Sequence, residues 1–428
     1  MKVHISEDMV LNCMRCGFCL PACPTYRYKQ VESASPRGRI ALMRAVMEDK
    51  LDILDIANQL DACLGCRACE PACPAGVSYG AILEQGRAQL VQARPLPGIV
   101  RWAYRYLLGT PGGIKFSGWA LWLYQKLGLR SLAHALNLVE KIGGKGLADM
   151  ERAIPPVASP ARRAARKRVY PAAGNRRYRV AFFLGCLSDI VFFETNQNAI
   201  DVLTRLGCEI VVPKGQGCCG AVHSHAGEHA MAVEQAKRNI AAFEQSGADF
   251  IVGTAGGCGA ALREYDKLLA DDPEWADRAK AFSSRCRDFS ELVEQLGPIP
   301  MGDMTGTYTY QDSCHLRNVQ KVAAPPRNLL KALPGARFVE LPEADRCCGA
   351  AGTFMITQAE ISDRLLDDKA RKVEKTGATT LVVANTPCHL EMLEGVRRAG
   401  LADKVQVRHI ADVIAEAMRK APATGGGR

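Results

Sequence analysis

The sequence predicts an α/β protein: an α-helical N-terminal domain followed by two duplicated α/β domains with mostly parallel sheets. Three observations lead there. Two cysteine runs of identical spacing lie within the first 74 residues, and a second cysteine set recurs 128 to 130 residues further on. Between the recurring cysteines, short β-branched and aromatic runs alternate with helical stretches. The 428 residues suffice for several buried cores, and 48% hydrophobic with 23% charged residues is a globular balance.

The first run reads Cys13-x-x-Cys16-x-x-Cys19-x-x-x-Cys23-Pro24; the second repeats it as Cys63, Cys66, Cys69, Cys73 and Pro74. Three thiolates at this spacing wrap one face of an iron–sulfur cubane, and the fourth, set off by a proline turn, reaches the neighbouring cluster. Cys13, Cys16, Cys19 and Cys73 are therefore assigned to one [4Fe-4S] cluster, and Cys63, Cys66, Cys69 and Cys23 to a second. Structural zinc usually draws its ligands from two separated pairs, and disulfides would strain across such short spacings; neither suits two compact quartets. Between the runs, Ser35-Pro36 opens a helix through Ile40 to Glu48 that spaces them. Arg37 and Arg39 at its start either offset the charge of a cluster or lie on the surface.

This helical domain is expected to span residues 1–92. Residues 93–141 form an aromatic and basic helical connector with Trp102, Tyr104, Tyr106, Trp119, Trp122 and Tyr124. Its apolar runs are too short to span a bilayer. Amphipathic helices of this kind pack on another domain or subunit, or lie peripherally on a membrane surface. Residues 142–178, rich in Gly, Pro, Ala and Arg, read as a linker.

The remainder is an internal duplication, with domains at 179–300 and 301–420. Cys186, Cys218, Cys219 and Cys258 recur as Cys314, Cys347, Cys348 and Cys388. Each half reads strand, helix, strand, Cys-Cys-Gly, helix, strand, cysteine-led helix. The strands are expected at 179–183, 209–212 and 249–252, with counterparts at 307–311, 337–341 and 380–384. The helices include Glu228 to Glu244 and Ile361 to Lys375. In parallel sheets, sites form beyond the carboxyl ends of strands, where every duplicated cysteine falls, so four thiolates should converge in each half.

Such a quartet suits a further iron–sulfur cluster, a zinc ion, or a redox-active thiol pair at Cys218 and Cys219. Cys208 and Cys286 have no counterpart and read as buried small hydrophobes. His223 and His225, after the first Cys-Cys-Gly, either relay protons or are structural. Neither a dinucleotide fingerprint nor a P-loop is found, so hydride chemistry must come from another polypeptide. The net charge of +10 is concentrated around Arg162 to Arg168, with little aromatic interleaving and no recognition motif, which argues against nucleic acid. Met1 to Val10 carries charges and no apolar run; with 18 clustered cysteines, the expectation is a cytoplasmic protein in a reducing compartment.

With both CysPro quartets and the paired Cys-Cys-Gly repeats in hand, the chain resembles the iron–sulfur subunits of glycolate oxidase over essentially its full length. Matching stretches include Cys16-Gly17-Phe18-Cys19, Pro36-Arg37-Gly38-Arg39-Ile40, Gly217-Cys218-Cys219-Gly220-Ala221 and Thr254-Ala255-Gly256-Gly257-Cys258-Gly259-Ala260. The C-terminal half also looks like the Cys-Cys-Gly domains of heterodisulfide reductase B subunits, and lactate-utilisation iron–sulfur subunits share parts of the pattern. The resemblance implies a partner subunit with FAD that oxidises a 2-hydroxy acid, this chain carrying the electrons to a quinone or another acceptor, with peripheral membrane association open. It also implies that the eight cysteines from Cys13 to Cys73 are cubane ligands. The heterodisulfide reductase relatives use five cysteines per noncubane cluster, whereas Ala255 and Asn385 stand at the fifth position here, which counts against a terminal reductase of that kind.

Overall fold

The computed structural model describes residues 4–422. The N-terminal domain is all helical: Glu7–Leu11, Pro24–Lys29, Pro36–Met47, Ala57–Asp61 and Tyr79–Ala93, with a short 3-10 turn at Glu32–Ala34. Pro36–Met47 starts where the Ser35 hydroxyl accepts the Gly38 amide at 2.9 Å, with proline in the first turn. It buries Ile40 and Met43 against Leu60, Ile82 and Leu83, so the helix that spaces the cysteine runs also anchors the core beneath them.

The connector is helical over Gly98–Trp102, Pro111–Lys126 and Leu129–Ala135, with a π-helical turn at Ala103–Leu108, and a further helix, Leu138–Ala153, broken at Gly144 (φ 76°), runs past residue 141 into the stretch read as a linker. Together these helices straddle the duplicated domains. Pro111–Lys126 packs on Cys186–Val191 of the first, and Leu138–Ala153 on Phe354–Thr357 and Thr386–Arg398 of the second. The stretch read as a linker is also tied down. Arg166 pairs with Asp189 and covers the Phe193 ring at 4.7 Å, and Val169–Tyr170 (β1) joins the first sheet. No helix among the described residues is long and apolar enough to cross a membrane.

The first sheet contains β1, Tyr178–Phe183 (β2), Cys208–Val211 (β3), Phe250–Gly253 (β4) and Cys286–Asp288 (β5), in the order β1-β3-β2-β4-β5. The second contains Gly306–Tyr310 (β6), Ala336–Phe338 (β7), Thr380–Val383 (β8) and Gln406–His409 (β9), in the order β7-β6-β8-β9. All pairs are parallel except β1 with β3. Without β1 the two sheets have the same order, which is the duplication expressed as topology. The six expected strands form, and each half adds a fourth, β5 and β9, that the sequence reading lacked. β5 is only three residues long and β9 reads Gln-Val-Arg-His, too short or too polar to stand out as strands.

The halves are fused, not strung. One apolar core runs from Val180, Phe182 and Val252 of the first sheet to Tyr308, Tyr310 and Val382 of the second. Polar contacts fix the seam: Thr195 Oγ1 and Asn198 Nδ2 each donate to Asp412 at 2.8 Å. His409 Nε2 donates to the Thr254 carbonyl at 2.8 Å while its Nδ1 accepts the Ala411 amide at 3.1 Å, capping the last helix, Ile410–Lys420.

Candidate iron–sulfur centres

In both N-terminal cysteine loops, alternate residues adopt left-handed backbone: Arg15 (φ 56°) and Gly17 (φ 90°) in the first, Gly65 (φ 61°) and Arg67 (φ 58°) in the second. These reversals coil each loop tightly about its cysteines, and two arginines accept a conformation that normally costs a residue with a Cβ. Burial divides the eight thiols. Cys23, Cys63, Cys66 and Cys69 are buried, whereas Cys16 is exposed and Cys13, Cys19 and Cys73 are half-buried. The division follows the same two groups as the expected crossed ligand sets.

The buried group lines one cavity together with Arg39 and Tyr79. Arg39 is 1% exposed; its Nε donates to the Gln59 carbonyl at 2.6 Å and its Nη2 to Thr25 Oγ1 at 3.1 Å. Its Nη1 has no partner. An uncompensated guanidinium nitrogen among four buried thiols is costly unless an anion fills the space between them, which fits a cluster carrying net negative charge. Burial pushes the Cys63 thiol up, but the Arg39 and Arg87 guanidiniums, with hydrogen bonds from Tyr79 (3.5 Å) and the Gly65 amide (3.4 Å), hold it below its ordinary value. The two arginines left open by the sequence thus divide: Arg39 lies inside the site, whereas Arg37 is nearer the surface, paired with Glu32 at 2.7 Å and donating to the Arg15 carbonyl at 2.9 Å.

Each duplicated domain brings its four cysteines together. Cys186 follows β2, Cys218 and Cys219 follow β3, and Cys258 follows β4; the Cys186 and Cys218 sulfurs lie 3.5 Å apart, and thiol contacts continue through Cys219 to Cys258. In the second domain the contacts run Cys314, Cys347, Cys348, Cys388. The glycine after each pair is required twice over. Gly349 has φ 105°, and a Cβ there would lie 2.9 Å from the Ser362 carbonyl; Gly220 has φ 85° with the Ala232 carbonyl at 3.2 Å. Asn385, at the missing fifth-cysteine position, donates to Cys388 Sγ at 3.3 Å and accepts the Gly257 amide at 3.0 Å, linking the two sites.

The surroundings differ between the two quartets. In the second, contact with Cys347 and then the His315 imidazole, whose Nδ1 is 3.4 Å from the sulfur, hold the Cys314 thiol down to about 5. Lys369 is buried beside Cys347 and Cys348, and burial lowers its ammonium to about 8. Sequence reasoning passed over Lys369, His315, Tyr79 and Arg87. The signal for Lys369 lay in the duplication itself, because it replaces an asparagine. His223 is fully buried, and its Nε2 donates to the Tyr104 carbonyl at 3.0 Å, a structural contact that pins the connector to the first domain, while its buried Nδ1 has no partner among the described residues. His225 lies 5.4 Å, ring to ring, from His315 and lines a cavity of about 60 Å³ with Cys219, Glu84, Arg67 and Glu264. Cys208 and Cys286 are buried in β3 and β5.

The N-terminal domain docks on the second duplicated domain through Cys66, which packs with Leu64, Phe354 and Ile361 against Cys347 and Cys314 in one apolar cluster. Asn318 Nδ2 donates to the Cys66 carbonyl at 2.9 Å. Around this seam Arg27 pairs with Glu343 at 3.0 Å, Tyr28 donates to Glu360 at 2.9 Å, and Arg67 reaches Glu264 of the first domain at 2.5 Å.

Comparison with known proteins agrees with this geometry. Residues 9–77 match a family model described as a 4Fe-4S dicluster domain, residues 180–263 and 308–393 one described as a cysteine-rich domain, and residues 97–154 one described as the linker region of the glycolate oxidase iron-sulfur subunit. The "probable glycolate oxidase iron-sulfur subunit" of Bacillus subtilis (strain 168) is 43% identical over 97% of this chain and 96% of its own. The "glycolate oxidase iron-sulfur subunit" of Escherichia coli (strain K12) is 31% identical over the same shares. "Lactate utilization protein A" of Bacillus subtilis (strain 168) is 37% identical over 55% of this chain and 98% of its own. The N-terminal part is an iron–sulfur domain of dicluster type, the two C-terminal parts are cysteine-rich domains, and the chain as a whole belongs to the glycolate oxidase iron–sulfur subunit family.

Proposed function

We propose that this chain is the electron-transfer subunit of a flavin-dependent 2-hydroxy-acid dehydrogenase of the glycolate type, taking electrons from an FAD-carrying partner and passing them to a quinone or another acceptor. The observation that carries this reading is the packing of Cys66 in one apolar cluster with Cys314 and Cys347, which brings the buried N-terminal thiols to the second quartet. Cys13, Cys16, Cys19 and Cys73 hold the outer cluster, where electrons enter, because Cys16 and its neighbours Met14 and Phe18 are exposed. Cys63, Cys66, Cys69 and Cys23 hold the inner one. The quartets Cys186, Cys218, Cys219, Cys258 and Cys314, Cys347, Cys348, Cys388 hold further clusters. When bound, these groups supply one-electron steps. The chain's residues fix their spacing and, through Arg39, Tyr79 and Asn385, their charge and hydrogen bonding.

The same reading keeps residues 1–92 as the dicluster domain, 93–141 as connector, 142–178 as the joining segment, and 179–300 and 301–420 as the duplicated domains. The connector exposes Ile99, Trp102, Tyr106, Phe116 and Trp119. We assign that face to the flavoprotein partner; if replacing Trp119 and Phe116 releases the complex from membranes and leaves it assembled, the face meets lipid instead.

The test uses the complex purified anaerobically with its partners. Glycolate, then D- or L-lactate, is added while the visible absorption of the clusters is followed. Rapid bleaching by glycolate is the expected result. Bleaching by lactate alone keeps the relay and changes the substrate, as the resemblance to lactate utilization protein A would favour. No bleaching by any hydroxy acid refutes the reading. Metal analysis separates zinc from iron in the quartets: about sixteen irons per chain for four clusters, against about eight with zinc.

A further inference from the structure

The duplication permits a position-by-position comparison of the two quartets. In the helices that follow the Cys-Cys-Gly turns, His229–Glu244 and Ala359–Lys375, the buried faces superpose at one register: Met231 with Ile361, Ala236 with Leu366, Phe243 with Val373. In that register Asn239 corresponds to Lys369. Asn239 is buried and neutral, its Oδ1 accepting the Gly217 amide at 2.9 Å and its Nδ2 donating to the Cys218 carbonyl at 2.8 Å. Lys369 is 1% exposed, and its Nζ donates to the Glu343 carbonyl at 2.6 Å. The Glu343 carboxylate is taken by Lys372, and among the described residues Lys369 forms no direct ion pair; Asp345 acts on it from further away, and its charge acts on Cys348 and Cys347.

We infer that Lys369 holds the reduction potential of the second Cys-Cys-Gly site above that of the first, so that electrons arriving through the inner N-terminal cluster collect at the second site. This rests on the reading above that both quartets carry redox-active clusters. Reduction adds one negative charge to a site. A buried ammonium nearby stabilises that charge through a low dielectric, and a neutral amide does not. The transfer moves one electron from the reduced inner N-terminal site, which is oxidised, to the second quartet, which is reduced; the hydroxy acid is the ultimate donor through the partner's flavin. The packing gives the same order, because Cys66 shares one apolar cluster with Cys314 and Cys347 of the second quartet. Glu391 has Ser362 Oγ as its partner at 2.9 Å, and burial pushes its carboxyl well above the usual carboxylate range, which works against a negative charge there that would offset Lys369.

The test is a potentiometric titration, followed by electron paramagnetic resonance, of the anaerobically purified complex and of its K369M, K369R, N239K and E391Q variants, each with its iron counted. K369M is expected to lower the midpoint of one iron–sulfur signal. At the potential where the wild-type site is half reduced, its reduced-to-oxidised ratio should fall on the order of tenfold or more. K369R and E391Q should keep that midpoint near its wild-type value, and N239K should raise the midpoint of a different signal. Should K369M shed iron from the second site, N239K decides: a raised midpoint supports the assignment and an unmoved one overturns it. About sixteen irons with unmoved midpoints in K369M overturn the role of Lys369 alone, as does a large rise in E391Q. About eight irons with zinc overturn the cluster reading on which it rests.

Discussion

Arg39→Met tests the electrostatic logic of the inner N-terminal site. The substitution keeps a long, flexible side chain in the cavity and removes the guanidinium, which is 1% exposed and donates to the Gln59 carbonyl at 2.6 Å and to Thr25 Oγ1 at 3.1 Å. A hydrogen bond from a charged donor contributes about 1.5–3 kcal/mol, so losing both costs about 3–6 kcal/mol. Methionine offsets part of this because no charge need then be desolvated, leaving a net loss of about 2–4 kcal/mol. For a domain of this size that is a fall in melting temperature of at least about 8 °C. A second effect acts on the cluster. Without Arg39, burial again dominates at Cys63, its thiol moves up, and the inner site holds iron less well. The assay is anaerobic thermal melting followed by cluster absorption, with iron counted before heating. A variant that keeps its iron and melts within about 2 °C of wild type refutes the reasoning; Arg39→Lys, which keeps the charge but not the fork, should retain iron better than Arg39→Met.

Three further outcomes follow from particular contacts. His409 must be neutral to accept the Ala411 amide, and burial holds its imidazole below its ordinary value, so its contribution is complete above about pH 6.5 and declines as pH falls below that. Melting temperature should therefore drop between pH 7.5 and 5.5, and less steeply in His409→Asn, which can still cap the helix; identical slopes would show that His409 does not titrate on unfolding. Gly349→Ala should destabilise by about 2–4 kcal/mol, since it combines φ 105° with a Cβ 2.9 Å from a carbonyl, whereas Gly352→Ala, at φ 67° with open space, should cost about 1 kcal/mol; equal losses in urea titrations would remove the steric argument. Arg67→Ala breaks the pairs with Glu70 (2.9 Å) and Glu264 (2.5 Å) on a side chain only 13% exposed, and should cost about 2–3 kcal/mol and expose the Cys66 seam to thiol reagents in the iron-free chain. Unchanged labelling would mean that the docking depends on apolar packing alone.

The sequence was most legible where chemistry dictates spacing. The CysPro runs and the recurring Cys-Cys-Gly pairs marked where the cysteines gather, because a shared ligand would hold their spacing, and the duplication followed from the same cysteines. What escaped was set by partners distant in sequence. β5 and β9 are strands because neighbouring strands pair with them, not because Cys286-Arg287-Asp288 or Gln406-Val407-Arg408-His409 is strongly patterned. Arg37 and Arg39 are two residues apart on one helix, and only the fold turns one inward. The joining segment at 142–178 has a linker's composition, yet Arg166 finds Asp189 and Phe193. Asn385 interrupts a cysteine pattern, and nothing local says that its amide reaches both Cys388 and Gly257.

The seam at Cys66 bears on kinetics. Many carriers swing a tethered domain between donor and acceptor, and their turnover slows as the medium thickens. Here Arg27, Tyr28, Asn318 and Arg67 hold the N-terminal domain against the rest of the chain around an apolar contact. On the path proposed above, electron passage across that contact is a matter of distance and driving force, with no domain excursion in it. Added glycerol or sucrose should slow the encounter with a diffusing acceptor and leave the internal hop at its original rate.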